Sequence, residues 1–457
     1  MVPWGKLEHR LDPNYFHPDF QKLSDDISRK PYRLLREIIT LSSEFWDQQT
    51  GFSETFPYLE ISEIDTSTGV IKKISNVPIN EAPSRARMVV RNSDILVSTT
   101  RPNRGAITLV TENTATPFIA STGFAIIRKN RDELLKSFLY SVLRSRISLR
   151  QMEQRSSGGN YPAITPSELK RIKIPVPQKA VQLKVVNLSS EALNQYKKRT
   201  FDADALLSSI DDYLISELGI LLPPELESTT ANRMFRTKAS DLGGWRFDAR
   251  VHQYDFNLKS SRYLNARLAT VCAVNPRTVF RGLTEADDVS FVPMDAISDR
   301  LGIIERRETR ALAENVGYTS FQNGDLLWAK ITPCMENGKS AVAQNLHGGF
   351  GYGSTEYHVL RSPNDRLDIG YLHALLRMKR VRKAAIRFFT GKSGHQRVDS
   401  DFLKTLDIPL PPIDVQRSLA AEARARVARA VQLELDANAE LEKAKAEIEE
   451  ILLGDAA

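Results

Sequence analysis

The stretch "FFTGKSGHQRV", residues 388–398, sets Gly-Lys-Ser beside His395, Gln396 and Arg397. Two chemistries use such residues. Nucleotide hydrolysis on a phosphate-binding loop needs a glycine five positions before the glycine preceding the lysine; that position is Ile386, which argues against it. The other is a nucleic-acid loop, in which glycine-flanked backbone amides and Lys392, Ser393, His395, Gln396 and Arg397 meet phosphates or base edges. A plain surface turn competes with it.

Three further loops have the same character. "SSGGNYP", 156–162, offers Ser157, Asn160 and Tyr161 as base or sugar contacts, again against a plain turn. "RPNRG", 101–105, presents Asn103 between Arg101 and Arg104, and the two guanidinium forks suit guanine O6/N7 or phosphate. Lys330, Thr332, Glu336, Asn337 and Lys339 fill the corresponding loop later in the chain. For Glu336 the competing role is a salt bridge that orients a lysine. "RSRISLR", 144–150, and "RMKRVRKAAIR", 377–387, are dense enough in cations to bind phosphate, or simply form solvated helix faces.

Catalytic groupings are missing. The seven histidines show no H-x-x-x-H or Cys/His metal spacing, and there is no G-x-S-x-G elbow. "NPRT", 275–278, lacks the aromatic of an adenine-methyltransferase motif. Cys272 and Cys334 are too few for a disulfide framework and read as buried small hydrophobes; the four tryptophans read as core or interface. No catalytic residue and no metal site are expected. The 41% apolar and 26% charged composition is that of a folded soluble chain, no apolar run approaches the roughly 20 residues of a membrane span, and the N-terminus has no signal-peptide core. A cytoplasmic location is expected.

The elements that must hold these loops are written twice. "RLDPNYF" at 10–16 answers "RFDARVH" at 246–252, and "FPYLEISEID" at 56–65 answers "FVPMDAISD" at 291–299. "NSDILVSTTRP" at 92–102 matches "NGDLLWAKITP" at 323–333, and "STGFAIIR" at 121–128 matches "STEYHVLR" at 354–361. "ELKRIKIPVPQKAVQ" at 168–182 matches "FLKTLDIPLPPIDVQ" at 402–416. Offsets of 236, 235, 231, 233 and 234 in unbroken order identify a tandem duplication of a unit of about 230 residues.

Each unit opens with short alternating strand-like runs and includes a helical stretch, at 132–152 and 369–389, before its Pro-X-Pro signature. After the signature comes a helix of about 40 residues, roughly 60 Å long. Val181, Val185, Leu188, Tyr196, Leu207, Ile210 and Leu214 mark the apolar stripe of the first. Val427, Val431, Leu435, Leu441, Ile448 and Leu452 mark that of the second. The helical segments 178–220 and 413–457 carry −1 and −4, so against a chain total of +7 the remainder holds +12. The fold class expected is α+β. Two basic α/β heads, at 1–177 and 221–412, alternate with the long helices at 178–220 and 413–457, which pair antiparallel as a pseudo-twofold dumbbell.

This order resembles the specificity subunits of type I restriction–modification systems over nearly the whole chain. The phrases that carry the resemblance are "SSGGNYPAI" and "IPVPQKAVQ" in the first half, and "KITPCMENGKSAVA", "GYGSTEYHVLR", "GKSGHQRV" and "IPLPPIDVQ" in the second. The resemblance implies two target-recognition domains, each reading half of a bipartite double-stranded DNA site, with helices that set the gap. It implies two methyltransferase subunits as partners, endonuclease/translocase subunits as optional ones, adenine targets, and S-adenosylmethionine bound by the partners and not by this chain. Alternatives are the specificity subunit of another DNA-modification or defence system, or a coiled-coil adaptor whose heads bind proteins.

Overall fold

The computed structural model describes residues 13–48, 51–111, 115, 117–221, 229, 234, 258–315, 317–391 and 394–454. The second member of the first repeat pair, 246–252, lies outside them, as do Lys392, Ser393, Trp4 and Trp245. The chain divides into two compact units, residues 1–199 with 435–457 and residues 200–434.

In the first unit, Ile39–Leu41, Phe124–Asn130, Ile95–Ser98 and Ile107–Leu109 form an antiparallel sheet in that order. A second sheet runs Ser75–Pro78, Thr55–Leu59, Phe118–Ser121, Ala86–Val90, with one parallel pairing, Tyr58 beside Ile119. The second unit repeats both. Ala273–Val274, Tyr357–Arg361, Leu326–Ala329 and Ser340–Val342 make one sheet. Glu308–Ala311, Asp288–Val292, Phe350–Gly353 and Thr319–Gln322 make the other, again with a single parallel pairing, Ser290 beside Gly351. The duplication read from the sequence is therefore a duplication of topology. An α+β fold with sheets in two globular bodies is what the chain forms.

The Asn-x-Asp phrases have a structural use. Asp94 is buried and accepts from the Arg91 N–H (2.8 Å) and Arg128 Nε (2.8 Å). Asp325, also buried, accepts from the Gln322 N–H (2.8 Å) and from Arg361 Nε and Nη2 (2.7 and 2.6 Å). A buried carboxylate needs such pairing, so each Asp pins the turn that launches its central strand. Both central strands, Ile95–Ser98 and Leu326–Ala329, are buried at every position.

The helical stretches expected at 132–152 and 369–389 are each two helices. Lys136–Arg144 and Arg146–Arg155 break at Ser145, and Ile369–Arg377 and Lys379–Ile386 break at Met378, both extended in ψ. Ser145 and Met378 are buried, so tertiary packing stabilises a bend that helix propensity alone would not make.

The first proline of each signature ends a short strand, Lys173–Pro175 or Asp407–Pro409, and these strands pair with Tyr32–Leu34 and Asn265–Arg267. The glutamine ending each signature lies in the first turn of a long helix and anchors it. Gln182 donates to the carbonyls of Glu133 and Pro177 and accepts from the Leu135 N–H, all at 2.9 Å. Gln416 donates to the carbonyls of Arg366 (2.9 Å) and Pro411 (2.8 Å) and accepts from the Asp368 N–H (2.9 Å). Both glutamines are buried, and these bonds satisfy the buried amide.

The long helices are Lys179–Leu218 and Ile413–Leu453, 40 and 41 residues. Within the first unit, Ala192 packs with Leu441 and Ala444, and Arg199 bonds Glu440 (2.6 Å) and approaches Asp436 (3.5 Å). Within the second, Leu214 and Leu218 share a core with Leu419, Ala420 and Ala423, and Arg426 donates to Ser209. Rising numbers meet falling ones, so the helices are antiparallel in each unit. The stripe differs from expectation on the second helix. Leu435 is 58% exposed, while Ala423, Ala430, Ala437 and Ala444, seven apart, are buried. Alanine at a heptad seam lets helices approach closely yet adds little to an apolar pattern.

Candidate nucleic-acid interface

In the first unit the central strand Ile95–Ser98 runs into the 99–105 loop, which is stitched to two others. Thr99 N–H donates to the Gly123 carbonyl (2.8 Å), Ile164 N–H to the Thr99 carbonyl (2.8 Å), and Arg101 N–H to the Pro162 carbonyl (2.7 Å). Arg101 sits in the left-handed region at φ +47° and Pro102 behind it is buried. The Arg101 guanidinium donates through Nη2 to the Asn160 carbonyl (2.8 Å) and lies 4.4 Å from the centre of the Tyr161 ring. Tyr161 is 72% exposed. Ser157 is tied by its backbone to Ala163, and Asn103, Arg104 and Asn160 are exposed. The sequence candidates of the first half thus share one surface.

The second unit uses the same three stitches. Lys330 N–H donates to the Glu356 carbonyl (2.9 Å), Val398 N–H to the Lys330 carbonyl (2.8 Å), and Thr332 N–H to the Gln396 carbonyl (2.9 Å). The matching glycines agree too. Gly158 at φ +105° and Gly391 at φ +103° each have space for no more than a strained side chain, since a Cβ would meet the carbonyl of Tyr161 or His395 at 3.2 Å. The frame is shared, and the side chains it presents are not. Arg101 corresponds to Thr332, Tyr161 to His395, and Ala163 to Arg397.

The remaining candidates of the second half have distinct surroundings. Thr332 Oγ1 donates to the Glu336 carboxylate, so Glu336 here fixes a threonine rather than a lysine. Lys339 Nζ donates to the Met294 carbonyl (3.0 Å). Asn337 closes the helix Cys334–Asn337 and is exposed, as is His395, while Lys330 and Gln396 are half-buried. Arg397 is held by Glu356 at 2.7–3.0 Å through Nε and Nη2. The guanidinium holds the Glu356 carboxyl below its usual range, and Glu356 raises Arg397 in turn.

Sequence reasoning missed the residues beneath the loops. Arg144 donates to the carbonyls of Gly105 (3.2 Å), Ile107 (3.0 Å), Ser67 (2.6 Å) and Thr66 (3.3 Å). Arg377 donates to the carbonyls of Gly338 (2.5 Å), Asp299 (3.0 Å) and Arg300 (2.8 Å). Burial lowers both arginines, Arg377 to about 10, and they act as internal clamps on the loops. A signal did exist. Gly69 and Gly302, both at positive φ, leave the room that each guanidinium fills, and a Cβ there would come within 2.4 and 2.6 Å of it.

Trp46, Trp328 and Cys272 are buried, and Cys334 is half-buried. Among the described residues, no group of three or more His, Cys, Asp or Glu is placed to hold a metal, and no helix is long and apolar enough to cross a membrane.

Residues 34–212 match the type I restriction modification DNA specificity domain. The type I restriction enzyme EcoEI specificity subunit of Escherichia coli is 34% identical over 146 residues, 32% of this chain and 24% of that protein. The EcoAI specificity subunit of the same organism is 33% identical over 153 residues, 33% and 26% respectively. The chain thus matches about a quarter of the length of these curated relatives. A chain solved in work on complex assembly and conformational transition of the type I R-M system shares the fold, with TM-score 0.53 and 22% identity over 93% of this chain and 98% of that one.

Proposed function

We propose that the chain, whose residues 34–212 match the type I restriction modification DNA specificity domain, is a specificity subunit of the type I restriction–modification family and selects a bipartite DNA site for partner subunits without catalysing a reaction itself. Each unit reads one half-site of double-stranded DNA. The loops of 101–105 and 157–162 serve one half-site, and those of 330–339 and 390–398 the other. The two long helices, as the spacer of a dumbbell, set the non-specific gap and dock two methyltransferase subunits. Those partners bind S-adenosylmethionine and methylate adenine in the cytoplasm, and endonuclease/translocase subunits join where the DNA is also cleaved.

One observation carries this reading. Two copies of a three-stitch loop frame present different side chains, which is the economy expected of one scaffold reading two sequences. Methylation mapping in a cell carrying this chain with its partners tests it. Two specified stretches separated by a gap of fixed length are expected. An uninterrupted motif, or methylation independent of this chain, would count against it.

A further inference from the structure

Arg397 presents an unused pair of donors, whose use on DNA rests on the second unit being a half-site reader. A guanidinium has five N–H donors in one plane. Glu356 takes one from Nε and one from Nη2, at 2.9 and 2.7 Å, and the His395 carbonyl takes one from Nη1 at 3.1 Å. One N–H remains on each terminal nitrogen. The side chain keeps 46% of its surface exposed although its plane is fixed, and it stands among the exposed residues of the loop frame.

Two donors held in one fixed plane match guanine, whose O6 and N7 are adjacent acceptors in the major groove; no other base shows that pair there. Holding the fork in advance removes the rotamer freedom that an arginine would otherwise lose on binding. Glu356 also cancels the charge of Arg397, so the pair attracts phosphate weakly and is better suited to a base than to the backbone. The first unit has Gly123 and Ala163 at the matching positions, so this device belongs to the second unit alone.

We propose that Arg397, oriented by Glu356, reads one guanine in the half-site of the second unit, with Glu356 as a positioning residue that makes no contact with DNA. Selection of the full chain on duplexes with randomised half-sites, sequenced at several salt concentrations, tests this. Arg397→Ala is expected to lose roughly 10- to 100-fold discrimination for G·C at one position of one half-site. The other half-site and the salt dependence should stay unchanged. Glu356→Gln, nearly isosteric, frees a positive charge. It is expected to lower discrimination at that same position while raising affinity for all sequences and steepening the salt dependence. Uniform weakening by Arg397→Ala with a shallower salt dependence would make Arg397 a phosphate contact and overturn the proposal. Unchanged selection by both variants would reduce the pair to a surface ion pair and overturn it equally. Absence of sequence preference in the unsubstituted chain would instead refute the reading of the units as half-site readers.

Discussion

The Arg101 guanidinium lies 4.4 Å from the centre of the Tyr161 ring, and each residue comes from a different loop, joined by the Arg101–Pro162 backbone bond. A flat cation on an exposed aromatic face is a preformed surface for a base or sugar, and Tyr161 is held there at the cost of its own exposure.

Arg101→Ala and Tyr161→Ala should each weaken recognition of the first half-site and leave the second alone. A loss of ~1–3 kcal/mol is expected for a direct base contact. Binding to duplexes in which only one half-site is scrambled measures this. Equal losses on both half-sites would show that the surface does not read sequence.

Stability is expected to reside in the buried pairs, not the exposed ones. Asp325 is fully buried with Arg361, so Asp325→Ala should cost ~3–5 kcal/mol by leaving a charge unpaired. Asp94→Ala should act similarly on the first unit through Arg128. Arg397→Ala, at an exposed pair, should leave stability nearly unchanged. Hydrogen exchange of the Leu326–Ala329 and Ile95–Ser98 amides reports each unit separately.

The units should differ in acid. Burial, reinforced by Arg377 and Arg424, lowers His373 to about 3, so the unfolded second unit binds that proton first. Its contribution to stability is complete above the unfolded pKa near 6.5 and is lost as pH falls towards 3, at up to ~1.4 kcal/mol per pH unit. Arg91 and Arg128 lower Glu44 in the first unit to about 2, so its contribution is lost only from about 4.5 downwards. Urea unfolding between pH 7.5 and 5 should therefore weaken the second unit first, and His373→Gln should flatten that dependence. Equal sensitivity of both units would contradict this assignment.

The spacer can be tested at the points where the units divide, after Arg199 and after Glu434. Four residues of helix-forming sequence inserted at both points add about 6 Å to each helix, close to two base pairs, and nearly restore the helical phase. Both half-sites should be kept and the gap lengthened by one or two base pairs, read by methylation mapping on randomised spacers. An unchanged gap with full activity would show that the helices do not set it.

Much of the molecule is legible in its sequence because duplication writes the same constraints twice. Asp94 and Asp325, the Pro-X-Pro strands, and Gln182 and Gln416 recur in order since each satisfies backbone groups close to it in sequence or in the adjoining element. Local chemistry of that kind leaves its trace in spacing, and strands and long helices arise from patterns of period two and 3.6.

Linear pattern alone therefore specifies the repeat, the order of elements, the α+β class and the loops rich in Gly, Arg, Asn and Tyr. Folding in three dimensions settles which of those side chains stand free. Arg144 and Arg377 read as surface cations until their carbonyl cages are seen, and Arg397 as one of five candidate contacts in its loop until Glu356, 41 residues away, fixes its plane. On the second long helix Leu441, Ile448 and Leu452 are buried as their pattern predicts, and the seam also takes alanines, which close packing selects and hydropathy does not mark. An arginine's role depends on the polar groups that reach it in space, and pairing across tens of residues leaves no periodic mark in a sequence.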